Sequence, residues 1–140
     1  MNINNFQKEM FNRLLRGERV IYTEDNGMVL LSDGYRAYAF YEKEILLDLT
    51  KCFKADLTDV LRFKENDTRL EETNKLYASG DRICVSFKTE DGTEIWVQQK
   101  LLSGLRDCQF YGNSPTDRII ACNMHKRPVA VVLPMRIAHD

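Results

Sequence analysis

Turn-forming residues cut this chain into pieces, most of them too short to be helices. Asn26-Gly27, Asp33-Gly34, Gly80-Asp81, Asp91-Gly92 and Ser114-Pro115 all punctuate it. Glycine takes positive φ without steric cost, Asn and Asp tolerate it, and proline presets φ for a turn. The runs between these signals are short, apolar and often alternating, a pattern that predicts strands joined by tight connections. Strands are expected near Arg19–Thr23, Met28–Ser32, Tyr35–Tyr41 and Leu70–Tyr77. Others are expected over Arg82–Lys88, Thr93–Val97, Cys108–Gly112, Arg118–Asn123 and Pro128–Ile137. Within Tyr35–Tyr41 both alternating sets carry bulky or apolar groups, so cover on both faces is expected.

Helical spacing is confined to a few places. Phe6, Met10, Phe11, Leu14 and Leu15 share one face of a helix expected over Asn5–Arg16, with Asn4 or Asn5 as cap and Gly17 as terminator. In "QQKLLSGLRD", Leu101, Leu102 and Leu105 join Val97 on one side of a second, short helix. A third piece, Leu57–Phe63, has Asp56 before it as a cap. The rest of the stretch from Glu42 to Lys75 has mixed periodicity. The predicted class is α+β: two principal helices packed on antiparallel sheets, in one domain spanning all 140 residues.

The composition is 44% hydrophobic, enough for a core, and the 29% of charged residues nearly cancel to a net charge of −1. That balance argues against a generally basic nucleic-acid coat, and any phosphate contact has to come from local clusters. Lys8, Arg13 and Arg16 on the first helix, with Lys100 and Arg106 near the second, are the candidates, interrupted by Glu9 and Asp107. The four cysteines (Cys52, Cys84, Cys108 and Cys122) form no CxxC pair and read as reduced, mostly buried thiols. The apolar runs fall short of the ~20 residues a membrane span requires, and the opening "MNINNFQKEM" lacks a signal-peptide core. A cytoplasmic protein without membrane contact is expected.

Signals for chemistry are poor. His125 follows Cys122 by three residues, but a structural zinc site needs four ligands and no partner pair is evident. Cys122 sits in an apolar run, where a thiol is inert rather than nucleophilic. Phosphate-loop and dinucleotide-binding glycine patterns are absent. No catalytic residue, metal or cofactor is assigned. The last apolar run, "PVAVVLPMRI", contains Pro134, which cannot donate to a ladder, and is therefore expected to form an exposed sheet edge. Met135, flexible and polarisable, suits such an edge to peptide recognition.

Two of these stretches resemble one family, the bacterial sliding clamp of DNA replication. "LSDGYRAYAF" is similar to a clamp motif leading into a strand, and "VVLPMRI" to the strand that closes a clamp chain. The layout from Ile95 to Ile137 also follows that of the last half-domain of a clamp. The resemblance implies a DNA-clamp-like domain whose two helices line a ring around duplex DNA. It also implies a pocket that takes short peptides from replication and repair proteins. Carried over, the peptide-binding residues are Ser32, Gly34, Tyr35, Arg36 and Ala37, with Val132, Leu133, Pro134, Met135 and Arg136. Tyr35 and Ala37 depart from the histidine and leucine of the motif. A bacterial clamp chain has three such domains, so a ring of this chain implies a homo-oligomer of about six copies joined head to tail. In the clamp the two motifs come from different domains, which implies a pocket completed between subunits. The expected function is that of a noncatalytic interaction module on DNA or on replication-protein peptides. The alternative is a small regulator or decoy of replication proteins, of mobile-element type, that does not encircle DNA.

Overall fold

The structure, a computed structural model, describes residues 3–136, with side chains described from Asn5 onward. The expectations placed on Ile137 and His139 lie outside the described residues. One α-helix, α1 (Ile3–Leu15), opens the chain. It stops as the sequence predicts: Gly17 adopts φ +77°, its N–H bonds to Leu14, and the Glu18 N–H reaches back to Arg13. This paired closure satisfies carbonyls that the last helical turn would leave open.

Eleven strands follow. β1 (Ile21–Asp25), β2 (Met28–Ser32) and β3 (Arg36–Tyr41) form an antiparallel meander through the Asn26-Gly27 and Asp33-Gly34 turns. The middle of the chain contributes β4 (Phe53–Lys54) and β5 (Thr68–Arg69), then the long β6 (Glu71–Ser79). β7 (Arg82–Lys88) and β8 (Glu94–Gln98) come next. β9 (Gln109–Gly112), β10 (Ile119–Cys122) and β11 (Pro128–Val132) complete the set. β1–β5 and β9–β11 form one eight-stranded sheet in the order β4-β1-β2-β3-β11-β10-β9-β5, mixed only because β4 runs parallel to β1. β6, β7 and β8 form a separate antiparallel sheet of three.

The main core lies against one face of the large sheet. Phe6 of α1 stacks on Tyr38 with ring centroids 4.1 Å apart, and also meets Phe40 at 6.0 Å. The small sheet covers another part of that face, with Phe87 against Phe110 at 5.2 Å and Ile95 and Val97 fully buried. Gly112 permits this closeness, since a Cβ there would sit 3.3 Å from Leu70 Cδ1 and 3.6 Å from Ile95 Cδ1. The opposite face holds a smaller cluster of Ile120, Cys122 and Val131, packed against Val60 and Leu61. β3 is covered on its Tyr38–Phe40 face, while on the other face Ala37 is buried and Tyr35 and Tyr41 stay exposed, so the expected cover on both faces holds only in part.

Two expectations are corrected. Among the described residues there are not two α-helices. "QQKLLSGLRD" makes a single 3₁₀ turn, Gln99–Leu102, and Gly104 at φ +81° leads the chain away. Val97, Leu101 and Leu105 are all buried, but from a strand end, a turn and a loop. Their spacing satisfied the core without requiring a helix. β11 is not an edge either: it lies between β3 and β10. Its ladder ends at Val132, so Pro134 falls beyond the strand rather than within it.

The middle segment is fixed by polar contacts that no periodicity reveals. Gln7, buried on α1, donates to the Glu44 carbonyl at 2.8 Å and accepts the Leu46 N–H at 2.7 Å. Thr23 accepts the Leu57 N–H at 2.9 Å and donates to the Ala55 carbonyl. Arg118 and Asp67 make a buried bidentate pair at 3.0 and 2.7 Å, which holds the 56–67 segment against β10.

Candidate peptide-binding surface

The turn between β2 and β3 is held by its own side chains. Ser32 Oγ donates to the Arg36 carbonyl at 2.9 Å and accepts the Gly34 N–H at 3.0 Å. Asp33 Oδ1 accepts the N–H groups of Tyr35 and Arg36 at 2.9 and 3.0 Å. Gly34 takes φ +96°, where a side chain would be strained. Four hydrogen bonds within five residues leave little freedom to lose when something docks. Tyr35 projects from this turn with 60% of its surface exposed.

The second motif meets the first directly. β11 pairs with β3 in the register Val132↔Arg36 and Val131↔Ala37, and the Leu133 N–H continues it with a 2.9 Å bond to the Tyr35 carbonyl. Tyr35 and Leu133 therefore oppose each other across the strands, on the sheet face that holds Val131 and Ile120. Leu133 is 43% exposed. Leu57–Leu61 and their neighbours cover the middle of that face but leave this corner open to solvent. The pairing needs one chain only, so the two motifs do not have to be brought together from separate subunits.

After Leu133 the chain crosses to the other sheet. The Met135 N–H bonds to the Trp96 carbonyl on β8 at 2.7 Å, and Cys84 Sγ lies 3.2 Å from Met135 Sδ. Leu133 and Met135 donate to different sheets. Pro134, which has no N–H to offer, occupies the position between them. Met135 is thus a half-buried anchor between sheets. Trp96 is half-buried, edge-on to Tyr77 at 6.2 Å.

The ten carried-over peptide residues divide by exposure. Gly34, Tyr35, Leu133 and Arg136 face solvent; Arg36, Pro134 and Met135 are half-buried; Ser32, Ala37 and Val132 are buried parts of the scaffold. Arg36 is held by Glu9 and Asp33, with its guanidinium 5.2 Å from the Phe6 ring centre.

The cationic candidates are scattered in role. Lys8, Lys100 and Arg106 are exposed. Arg13 pairs with Glu18 at 2.9 Å and donates to the Arg19 carbonyl, and Arg16 meets the same carboxylate at 2.8 Å. Hydrogen bonding to Arg16 holds the Glu18 carboxyl below its ordinary range, so it stays ionised and offsets both arginines. α1 and the Gln99–Leu102 turn do share a face of the large sheet, because Tyr38 stacks on Phe6 and donates to the Ser103 carbonyl at 2.9 Å.

No family model, curated protein or solved structure matches this chain. The surface therefore has to be read from its own chemistry. Among the described residues no group of three or more His, Cys, Asp or Glu side chains is arranged to hold a metal, and no helix is long and apolar enough to cross a membrane. Burial pushes the Cys122 thiol up to about 11, which keeps it protonated and unreactive at neutral pH. His125 lies exposed in the turn before β11. What the sequence could not give was the β3–β11 register. The resemblance implied two segments meeting between subunits, whereas they pair within one chain.

Proposed function

We propose that this chain is a noncatalytic interaction module that binds short apolar peptide segments of partner proteins at the Tyr35–Leu133 corner. The observation that carries the reading is that pair itself: two exposed apolar side chains, opposed across β3 and β11, on a turn fixed by internal hydrogen bonds. Rigid aromatic and aliphatic anchors beside a strand end are the usual means of holding a short peptide. The likeness of both motifs to the sliding clamp makes replication and repair proteins the partner class. Encirclement of duplex DNA is not part of this proposal. The second ring-lining helix is replaced by one 3₁₀ turn, and two of the five cationic candidates are tied to Glu18. This favours a module that engages replication proteins without closing a ring.

The test uses the fluorescein-labelled pentapeptide Ser-Leu-Gly-Leu-Ser and fluorescence anisotropy on the full chain. Saturable binding is expected, weakened about tenfold or more by Tyr35→Ser with Leu133→Ser, because removing two interface anchors costs about 1 kcal/mol each or more. Both positions are exposed, so circular dichroism should show an unchanged fold. Equal affinity for wild type and variant refutes the assignment.

A further inference from the structure

A second concave surface lies away from the Tyr35–Leu133 corner. A cleft of about 910 Å³ opens between the β6–β7 side of the small sheet and the 99–110 segment. Its floor is apolar: Phe87, Leu105 and Phe110 are all buried there, and Leu76 is largely exposed at the opening. Its lining includes three cations, Arg69, Lys75 and Arg106, against one acid, Glu72. Lys75 is engaged by Glu94, but Arg69 and Arg106 are exposed and make no ion pair among the described residues. One wall is β6, nine residues long, paired with β7 on one side and with no strand on the other among the described residues. Such an edge offers main-chain donors and acceptors to an incoming strand. Its ladder is interrupted between Glu72 and Leu76, where Asn74 adopts φ +62° and also lines the cleft.

We propose that this cleft binds an extended peptide segment of a partner protein, with apolar side chains flanked by carboxylates, added as a strand to the free edge of β6. Strand addition satisfies the unpaired edge. Residues two apart in the added strand point to the same side, so a pair of apolar groups enters the cleft together. Carboxylates two residues before and two residues after that pair lie on the same side and meet Arg69 and Arg106 in the cleft lining, which gives a preference by charge. The cleft shares no lining residue with the corner at Tyr35 and Leu133.

The probe is acetyl-Glu-Ser-Leu-Thr-Phe-Ser-Glu-amide carrying a fluorescent label, in which both Glu share a side with Leu and Phe, compared with the same peptide bearing Lys in place of both Glu. On the full chain at low salt the acidic peptide is expected to bind about tenfold more tightly, because it sets two carboxylates against the arginines where the basic peptide sets two like charges. The variant Arg69→Glu with Arg106→Glu, both exposed positions, is expected to reverse the order, and the preference should shrink as salt rises. Methylating the Leu and Thr backbone nitrogens of the probe is expected to abolish binding. Equal binding of the two peptides, binding of neither, or an unchanged order in the variant overturns the site; undiminished binding of the methylated probe overturns strand addition.

Discussion

Replacing Asp67 by Ala should destabilise the protein by about 3–5 kcal/mol, the usual cost of stranding one partner of a buried ion pair. The magnitude follows from what the carboxylate holds. Asp67 is 1% exposed and Arg118 7%, and two parallel bonds of 3.0 and 2.7 Å join them. The same carboxylate accepts the Lys64 N–H at 2.6 Å and the Asn113 amide at 2.8 Å. Removing it leaves the guanidinium with the Arg62 carbonyl at 2.6 Å and with Asp117, whose nearest oxygen is 3.7 Å away. A domain of this size is stable by about 5–15 kcal/mol, so a large part of the total is at stake. Urea unfolding followed by Trp96 fluorescence would measure it, together with a fall in Tm of roughly 10–17 °C. The double variant Asp67→Leu with Arg118→Met should recover most of the loss, because an apolar pair of similar volume avoids desolvating two charges. A loss below about 1 kcal/mol for Asp67→Ala, in the range of an exposed pair, would refute the reasoning.

Acid should act on the same network. Burial opposes ionisation of Asp117, but hydrogen bonds from Lys64, Asn113 and the Arg118 N–H outweigh it and lower its pKa to about 2; Asp67 is lowered for similar reasons, chiefly by Arg118. Carboxyls depressed in the folded state stabilise it above their unfolded value of about 3.9 and lose that contribution as pH falls through the folded value. Stability measured from pH 5 down to 2 should therefore fall, and fall less in the Leu–Met double variant. Phe6→Ala should cost about 3–5 kcal/mol, since the ring is buried against Tyr38 and Phe40; chemical denaturation reads this directly. Light scattering with duplex DNA should show no complex at physiological salt, and a complex that dissolves as salt rises would restore the ring reading.

The strands were legible where turn chemistry and alternation agreed. Met28–Ser32 and Arg82–Lys88 have the bounds that their flanking turns imply. The Gly17 stop was equally readable, because only the residue at that position needs positive φ. The second helix misled because Val97, Leu101 and Leu105 have helical spacing but reach the core from a strand end, a turn and a loop, with Gly104 at φ +81° turning the chain after Leu102. The middle segment was illegible for a different reason: Gln7, Thr23 and Asp67 hold it through long-range hydrogen bonds, which leave no periodic mark. At the candidate surface the two motifs carry no mark of burial. Val132 and Ala37, both carried over as pocket candidates, are buried in a central strand pair, whereas Tyr35 and Leu133 are exposed.

The most direct measurement is a titration of isotopically labelled full chain with the pentapeptide Ser-Leu-Gly-Leu-Ser, followed by two-dimensional amide NMR. Binding at the β3–β11 corner predicts shifts concentrated at Gly34, Tyr35, Leu133 and Arg136, with the β6–β7 hairpin unmoved. Shifts confined to other parts of the chain, or a spectrum unchanged at millimolar peptide, would contradict it.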